Sequence, residues 1–448
     1  MKIIYLVLDA VSYEYSWLKN DLMKNLNQIK KKSLNFHKHY SMTNNTGGNL
    51  ACLFSGLSST LNGVMSTKEN YNNNKYGYLQ SILKKNNIPC YFYSTANITK
   101  FYDAKDNIFF DKLISYGPSL ASHRISAEKI NPVYINHVKK LKNQKNYLLF
   151  LHYVDTHAPF ETPLNNISRK EFPEICKFLY SFENIFYRIP RRFLRKYLKP
   201  KTLLENFLLY KEYPNLKELN PVSFGPLLSP ERLKDFYNKV WENEKLLNEY
   251  SKMKLVAAKY LDENIKIFFE KISDHVQDET IFFISADHGN NATLSPQYIE
   301  KNGVLNQIST HIPLSIFTFN EKLRNKFNIM GNIEEHTSHT DFYTTANYLF
   351  DINYNQNDFD ENLLNFKNKE RFIFSEINDK RYKYGQSILL SKNNNIELKT
   401  KPSGEYQKYK LYKKTEIIHS ISEKDFITYQ KYKQKYNDYF DNLRRNII

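Results

Sequence analysis

Short runs of apolar residues recur along the chain, each bounded by polar or small residues. Within a run the apolar residues follow one another instead of alternating with polar ones, which is typical of parallel strands covered on both faces. The pattern therefore predicts the buried strands of a parallel sheet. The four clearest runs are residues 3–8, 147–151, 281–285 and 313–317, and a weaker one is 90–93.

Apolar residues at helical spacing lie between these runs. Residues 78–85 place tyrosine, leucine and isoleucine on one helical face, and the longer stretch 230–272 does so over several turns. Strands that alternate with helices require crossover connections. We therefore predict an α/β fold, a three-layer α/β/α sandwich with a mostly parallel sheet.

Composition changes along the chain at two places. Residues 165–225 look like an insertion, and within them 186–201 carry seven basic side chains and no acid. From about residue 370 the chain becomes rich in lysine, tyrosine and asparagine, with strand-like pieces at 388–390 and 409–411. We predict a main domain over 1–370 and a small C-terminal α+β domain over 371–448.

Overall composition excludes several classes of protein. The chain has 448 residues, 41% of them hydrophobic, and a mean hydropathy of −0.62, with no long uncharged apolar run. A membrane-spanning protein is therefore not expected. The 31 phenylalanines and 35 tyrosines exclude a disordered chain. Three cysteines without Cys-x-x-Cys spacing argue against a disulfide framework and a cysteine-based zinc site.

The charge balance and the first residues suggest a partner class and a location. Lys and Arg number 64 against 47 Asp and Glu, a net charge of +17 that favours an anionic substrate, surface or partner. Asp9 interrupts the apolar run 3–8, which is too short for a secretory signal and fits a strand better. We expect a cytoplasmic protein.

Two of the predicted strands end in residues that bind metals. Asp9 follows the first run, and Asp287-His288-Gly289 follows the run around 280–286. Ligands of parallel sheets bind at the carboxyl ends of the strands. Carboxylates with an imidazole suit Zn²⁺ or Mn²⁺ and, less readily, Ca²⁺. Taken alone, however, an Asp-His-Gly sequence is more often a turn than a metal site.

A polar loop with small residues leads into an apolar helix at 41–56. Thr46 stands at the start of this helix, followed by Gly47 and Gly48. Backbone N–H groups at such a position can hold an anionic oxygen, and a hydroxyl bound to a divalent metal can become a nucleophile. The alternative is that Thr46 only caps the helix, a common task for threonine.

Several histidines lie near the ends of predicted strands. Each taken singly is more typical of a surface histidine or a hydrogen-bonded core histidine than of a catalytic one. Their shared position at strand ends favours a common site. They are His152 and His157 after 147–151, His311 before 313–317, and His336 and His339.

In order along the chain, these segments resemble the sulfatase branch of the alkaline phosphatase superfamily. Thr46 falls at the nucleophile position of the segment 36–56, which is similar to that of the family without a gap. The resemblance runs over about residues 1–350. Its other elements are the strand ending in Asp9, His157-Ala158-Pro159-Phe160, 281–289, 311–314 and 338–341.

The resemblance implies a site as well as a fold. It implies one divalent metal ion (Zn, Mn or Ca), with no organic cofactor, bound by Asp9, Thr46, Asp287 and His288. It also implies that His157 and His311 act in catalysis with Thr46, and that the substrate anion is contacted by Gly47, Asn49 and His339.

Departures from the family pattern indicate which branch of the family this chain resembles. Sulfatases mature a Cys or Ser to formylglycine before x-Pro-x-Arg, whereas this chain has Thr46, no proline, and Leu50 in place of the arginine. Cys52 lies on the apolar helix and is expected in the core. The usual pair of acids after the first strand is reduced to Asp9-Ala10. A threonine nucleophile resembles the phosphoethanolamine and phosphoglycerol transferases of bacterial envelopes, which normally carry membrane helices that this chain lacks.

These observations predict a metal-dependent hydrolase or transferase of phosphate esters that works through a covalent Thr46 intermediate. The substrate would be a phosphate- or sulfate-bearing molecule such as a cell-surface glycan or a lipid headgroup, with peripheral membrane contact and no specific nucleic acid. Two alternatives stay open: a sulfatase on the same scaffold, and a non-catalytic binder of anionic polymers or membrane surfaces.

Overall fold

A computed structural model of the chain describes part of its 448 residues. The predicted basic insertion at 165–225 lies outside the described residues, except for 171–174. The described residues are 1–13, 22–62, 64, 78–94, 112–115, 125–157, 171–174, 239–240, 242–289, 307–353, 361–365, 373–377, 385–390, 395–400, 406–413, 416–418, 431 and 434.

Eight strands form the main sheet. They are β1 (Lys2–Leu8), β2 (Leu34–Tyr40), β3 (Cys90–Ser94), β4 (Lys112–Ser115), β5 (Tyr147–Tyr153), β6 (Thr280–Ser285), β7 (His311–Phe317) and β8 (Gly331–Ser338). Their order is β4-β3-β5-β1-β6-β7-β2-β8. Only β7 in this sheet runs antiparallel to its neighbours, so the prediction of a mostly parallel sheet is confirmed.

Helices cover the main sheet on both faces. The described helices are α1 (Lys24–Lys30), α2 (Thr46–Ser55), α3 (Ser59–Asn62), α4 (Leu79–Lys85), α5 (Ala127–Lys140), α6 (Glu244–Ile272), α7 (Gln307–Thr310), α8 (Glu321–Lys326) and α9 (Asp341–Leu349). Among them, none combines the length and the apolar character that a bilayer span requires.

Strand β1 shows why the apolar runs are continuous. It pairs with β5 on one side and β6 on the other, and all its residues are buried. Tyr5 faces the core under α2 and α9, where its ring meets that of Phe342 edge-on at 4.8 Å. Leu6 faces the opposite core, under α5 and α6. Because successive residues face different cores, both must be apolar. The predicted three-layer α/β/α sandwich is confirmed.

The longest of the described helices, α6, begins at Glu244, and residues 239–240 and 242 of the predicted stretch before it are also helical. Asn243 caps it by accepting a hydrogen bond from the N–H of Leu246. Its buried face packs on α5 and carries one buried acid, Asp262. That carboxylate accepts the N–H groups of Asn25 and Leu26 and so ties α1 to α6.

A second, antiparallel sheet follows in the C-terminal region. Its strands are β9 (Ile373–Ile377), β10 (Gly385–Leu390), β11 (Asn395–Thr400), β12 (Tyr406–Lys413) and β13 (Glu416–Ile418). Their order is β13-β12-β11-β10-β9. The sheet includes both strands expected there, whereas the domain boundary near residue 370 stays a prediction.

The edge strand β9 reaches back to the loop at 41–45, which precedes α2 and is called here the Thr46 loop. Glu376 donates its N–H to the carbonyl of Met42 at 2.8 Å, and the hydroxyl of Ser375 donates to the carbonyl of Ser41 at 2.6 Å. The two sheets therefore meet at the loop that positions Thr46.

Candidate active site

Two carboxylates meet where β1 and β6 end. Asp9 follows β1 and Asp287 follows β6, and because these strands are parallel neighbours their carboxyl ends adjoin. Both side chains are buried. The N–H of Ala10 donates to Asp287 Oδ1 at 2.9 Å, which links the two strand ends directly. Ala10 adopts a positive φ of 59°, an unfavourable conformation for a residue with a Cβ.

His152 joins these carboxylates from the other side. It is fully buried near the end of β5, with Nε2 3.2 Å from Asp9 Oδ2. Ligand atoms of Asp9, His152 and Asp287 all lie within 4.8 Å of one another. The apolar pattern predicts a strand that ends at residue 151 and assigns His152 no role, whereas β5 continues to Tyr153. A histidine inside an otherwise apolar, buried strand was the signal.

Thr46 approaches the carboxylates from α2. It is the first residue of the helix, and the cap is Asn45, whose side chain accepts the N–H of Gly48 at 2.8 Å. The alternative that Thr46 only caps the helix is therefore wrong. The Thr46 hydroxyl instead lies beside the Asp287 carboxylate, whose Oδ2 is buried without a hydrogen-bond partner among the described residues. Gly47 lies buried in the same first turn.

Two neighbours of Thr46 fix the shape of its loop. Asn49 is predicted to contact the substrate, but the structure gives it another task. Its fully buried side chain accepts the N–H groups of Met42 and Thr43 and donates to the carbonyls of Thr43 and Asn45. A Cβ at Gly48 would lie 2.7 Å from the Thr43 side chain, so only glycine fits there.

His288 and His157 lie beside the carboxylates. His288 Nδ1 is 2.8 Å from the carbonyl of Gly289, so this nitrogen carries the hydrogen. Nε2, 3.4 Å from Asp287 Oδ2, then has the free lone pair that a metal ligand needs. His157 is partly exposed just after β5, close enough for its charge to act on Asp9.

The electrostatics of the site follow from two buried acids in contact. Burial raises the pKa of Asp287, and the charge of Asp9 raises it further. Burial alone would also raise the pKa of Asp9, but the neighbouring His157 and His152 outweigh it and lower that pKa. Burial alone would lower the pKa of His288, but Asp287 and Asp9 reverse this effect and raise it. The two carboxylates therefore attract positive charge.

His339 lies at the edge of this site. Its Nε2 is 2.9 Å from the carbonyl of Ala286, directly before Asp287. Nδ1 is buried and has no hydrogen-bond partner among the described residues. Burial lowers the pKa of His339 to about 4, so the ring is neutral at physiological pH.

Within the described part of the chain, His311 contacts two tyrosine rings and a backbone carbonyl, and not the aspartates. Its ring lies between those of Tyr13 and Tyr40, at centroid distances of 4.3 and 4.9 Å. Nε2 is 2.8 Å from the carbonyl of His37. Burial lowers its pKa to about 4, so His311 is neutral in the working range. The structure therefore unites Asp9, Thr46, Asp287, His288 and His157, while a catalytic role for His311 stays a prediction.

The donor set fits a divalent cation. Asp9 Oδ1 is buried and has no hydrogen-bond partner among the described residues. A buried carboxylate oxygen without a partner is costly unless a cation or a donor meets it. Two carboxylates, a hydroxyl and an imidazole lone pair supply the oxygen and nitrogen ligands that Zn²⁺ and Mn²⁺ accept.

Solved structures share this fold across nearly the whole chain. One, solved in complex with its substrate D-glucosamine-2-N,6-O-disulfate, is 11% identical with a TM-score of 0.63, over 99% of this chain and 97% of the other. The lipoteichoic acid synthase LtaP from Listeria monocytogenes is 13% identical, with a TM-score of 0.59 over 99% and 92%. A phosphonate monoester hydrolase from Silicibacter pomeroyi is 14% identical, with a TM-score of 0.60 over 92% and 89%.

Sequence identities this low show the fold but not the family, which a family model shows. No curated protein matches the chain. The family model described as sulfatase matches residues 2–352, well over half of the sequence and every described element that contributes to the site. The chain belongs to the sulfatase family, as its ordered motifs predict.

Proposed function

We propose that this chain is a metal-dependent hydrolase or transferase of phosphate esters, with Thr46 as the nucleophile. The observation that carries the proposal is the position of the Thr46 hydroxyl beside Asp287, in a buried cluster that also contains Asp9 and His288. A threonine that served only the stability of the helix would not need a buried carboxylate beside its hydroxyl.

One divalent cation, Zn²⁺, Mn²⁺ or Ca²⁺, would be held by Asp9, Asp287, His288 and the Thr46 hydroxyl. When bound, such an ion lowers the pKa of a coordinated hydroxyl and offsets negative charge on the substrate. The tautomer of His288 and the partnerless Asp9 Oδ1 support this assignment.

The chain's own residues would carry the first step of the reaction. Thr46 Oγ attacks phosphorus, the new O–P bond forms, and the bond from phosphorus to the leaving oxygen breaks. The hydroxyl proton passes to the neighbouring Asp287 carboxylate. The leaving oxygen takes a proton from His157, which is partly exposed beside Asp9. The amide of Gly47, in the first turn of α2, would offset charge on a phosphoryl oxygen.

The second step would release the phosphoryl group from Thr46. Water or an acceptor hydroxyl attacks phosphorus and loses its proton to His157, which is now neutral. The O–P bond to Thr46 breaks, and Thr46 Oγ regains its proton from Asp287. The attacking molecule decides whether the enzyme is a hydrolase or a transferase.

Phosphate is favoured over sulfate by the identity of residue 46. Threonine cannot be matured to the formylglycine on which family members that cleave sulfate esters depend. Two solved neighbours are named for a phosphonate monoester and for lipoteichoic acid, whereas a third was solved with a sulfated glucosamine. We therefore keep sulfate-ester hydrolysis as the second candidate, because the family match itself favours it.

The substrate class proposed is an anionic glycan or a lipid headgroup. The net charge of +17 supports attraction of such a molecule, and the basic residues at 186–201 would contribute to it. A peripheral membrane contact and the cytoplasmic location expected from the sequence stay predictions.

The test compares aryl phosphate, aryl phosphodiester and aryl sulfate turnover by the wild type, with and without EDTA. Thr46→Ala and EDTA should each abolish phosphate-ester turnover, and intact-mass analysis should find a phosphate adduct that maps to Thr46. Thr344→Ala is the matched control, since Thr344 is also buried but lies on α9. Full activity of Thr46→Ala would refute the mechanism, and preference for the aryl sulfate would favour the second candidate.

A further inference from the structure

Three buried side chains form a continuous chain from β3 to the metal-type cluster. Ser94, the last residue of β3, has its Oγ 2.9 Å from His152 Nδ1. His152 Nε2 lies 3.2 Å from Asp9 Oδ2. Ser94 and His152 are fully buried and Asp9 nearly so, which means that water does not compete for these contacts.

The order of the groups excludes a nucleophilic triad. Ser94 is inaccessible, so its hydroxyl cannot meet a substrate. A hydroxyl that donates to Nδ1 instead fixes the tautomer of His152, leaving the ring hydrogen on Nε2. The protonated Nε2 then lies 3.2 Å from Asp9 Oδ2, a close contact whose alignment falls short of a hydrogen bond.

We propose that His152, held by Ser94, is a positioning residue that orients the Asp9 carboxylate for the cation. The attraction between Nε2–H and Oδ2, 3.2 Å apart, holds that oxygen, and Oδ1 is left as the ligand atom. This division agrees with the partnerless Oδ1. The inference rests on the metal centre of the proposed function and assigns a role to two residues outside the ligand set.

Hydrogen bonds already fix the backbone around Asp9, so the remaining freedom is the orientation of its carboxylate. The Asp9 N–H donates to the carbonyl of Tyr153 at 2.9 Å, and the Thr156 hydroxyl donates to the carbonyl of Asp9 at 2.5 Å. On the other side, Tyr134 OH donates to the carbonyl of His152 at 2.8 Å. With both backbones anchored, rotation of the Asp9 side chain is the remaining freedom, and His152 removes it.

His152 as a direct metal ligand is the competing assignment. In that case Nε2 would carry a lone pair, Nδ1 would donate to Ser94, and the ring would contribute a nitrogen to the metal. The two assignments differ in the number of nitrogens bound to the cation, which spectroscopy measures without any turnover.

The experiment uses the full chain and Mn²⁺ alone. The dissociation constant comes from the free Mn²⁺ signal in electron paramagnetic resonance, and pulsed measurements count the nitrogens coupled to the bound ion. The variants are His152→Phe, which keeps a ring but loses both nitrogens, and Ser94→Ala and Ser94→Thr. Thr337→Ala is the matched control, because Thr337 Oγ1 lies 3.0 Å from Nδ1 of another buried histidine, His39, on β2.

We expect His152→Phe to weaken Mn²⁺ binding by about 10–100-fold, the range typical of groups that orient a metal ligand. The nitrogen coupling should stay that of His288 alone. Ser94→Ala should weaken binding in the same direction by a smaller factor, and Ser94→Thr should restore it, since the hydroxyl is kept. Thr337→Ala should bind as the wild type does.

Two results would overturn the proposal. Loss of a nitrogen coupling in His152→Phe would make His152 a ligand, and unchanged affinity in Ser94→Ala would remove the positioning role even if His152→Phe fails to fold. Failure of the wild type to bind Mn²⁺, Zn²⁺ or Ca²⁺ would instead refute the metal centre of the proposed function. The two failures are therefore distinguishable.

Discussion

Replacing Asn49 with alanine tests whether this residue serves the substrate or the loop. In the structure its side chain makes four hydrogen bonds of 2.6–3.1 Å inside the Thr46 loop. The two carbonyls it contacts keep other partners: Thr43 O accepts the Ser41 hydroxyl, and Asn45 O accepts the backbone N–H of residue 49. The two buried N–H groups that it satisfies, those of Met42 and Thr43, would lose a partner.

An unsatisfied buried N–H costs about 1–3 kcal/mol, so we expect Asn49→Ala to lower the free energy of unfolding by about 2–6 kcal/mol. The gain in helix propensity offsets only a few tenths of a kcal/mol, about 0.5 at most. The assay is urea unfolding followed by circular dichroism. Asn347→Ala is the matched control, since that buried side chain donates to one carbonyl and satisfies no N–H in the described structure, so we expect about 0.5–1.5 kcal/mol.

The same variant separates the two roles kinetically. If Asn49 organises the loop, kcat falls together with stability because Thr46 is displaced. If Asn49 contacts the substrate, KM rises while the free energy of unfolding stays close to that of Asn347→Ala. The second outcome would refute the structural argument and restore the role that the family resemblance implies.

Three further predictions concern the same site and its surroundings. Gly48→Ala should lower kcat strongly and the free energy of unfolding by about 1–3 kcal/mol. The reason is that its Cβ would lie 2.7 Å from the Thr43 side chain and 3.1 Å from the Asn45 side chain. An unchanged kcat would show that the loop adjusts without moving Thr46. Dialysis against EDTA should lower Tm and added Zn²⁺ or Mn²⁺ should raise it, since a cation that binds only the folded state stabilises it; a Tm insensitive to both would argue against a metal site. Burial lowers the pKa of His311 in the folded chain to about 4, so the imidazole is protonated in the unfolded chain at a higher pH than in the folded one. The free energy of unfolding should therefore fall as the pH drops from about 6.5 to about 4, by up to about 3 kcal/mol. His311→Phe should reduce that slope in urea unfolding at neutral pH and at about pH 5, and an unchanged slope would assign the acid sensitivity to other groups.

The sequence predicted the sheet and two of the site residues for a simple physical reason. A strand covered on both faces must be apolar at every position, so β1 and β6 are visible as uninterrupted runs that end at Asp9 and Asp287. Since neighbouring parallel strands end at the same edge, the meeting of the two carboxylates follows once the strands are adjacent. The adjacency itself came from the family resemblance, since the order β5-β1-β6 depends on long crossovers that local pattern does not specify.

Roles that depend on side-chain direction could not be predicted in the same way. His152 is polar, so the pattern ended its strand too early, although its position continues the face of Leu148 and Phe150. Asn45 and Thr46 are both good helix caps, and only the backbone geometry decides that the asparagine caps the helix. Asn49 was assigned to the substrate by analogy, because nothing local shows that its amide turns back into the loop.

The two hydrogen bonds from β9 to the Thr46 loop join segments separated by more than three hundred residues. Residues 41–42 therefore cannot shift without pulling on Ser375 and Glu376. Amide hydrogen exchange at the Glu376 N–H should slow when a cation or an anionic ligand orders the loop. The N–H of Glu376 would thus report ligand binding at the Thr46 site. A shortened form of the chain without β9 would lose two hydrogen bonds that hold the loop before Thr46.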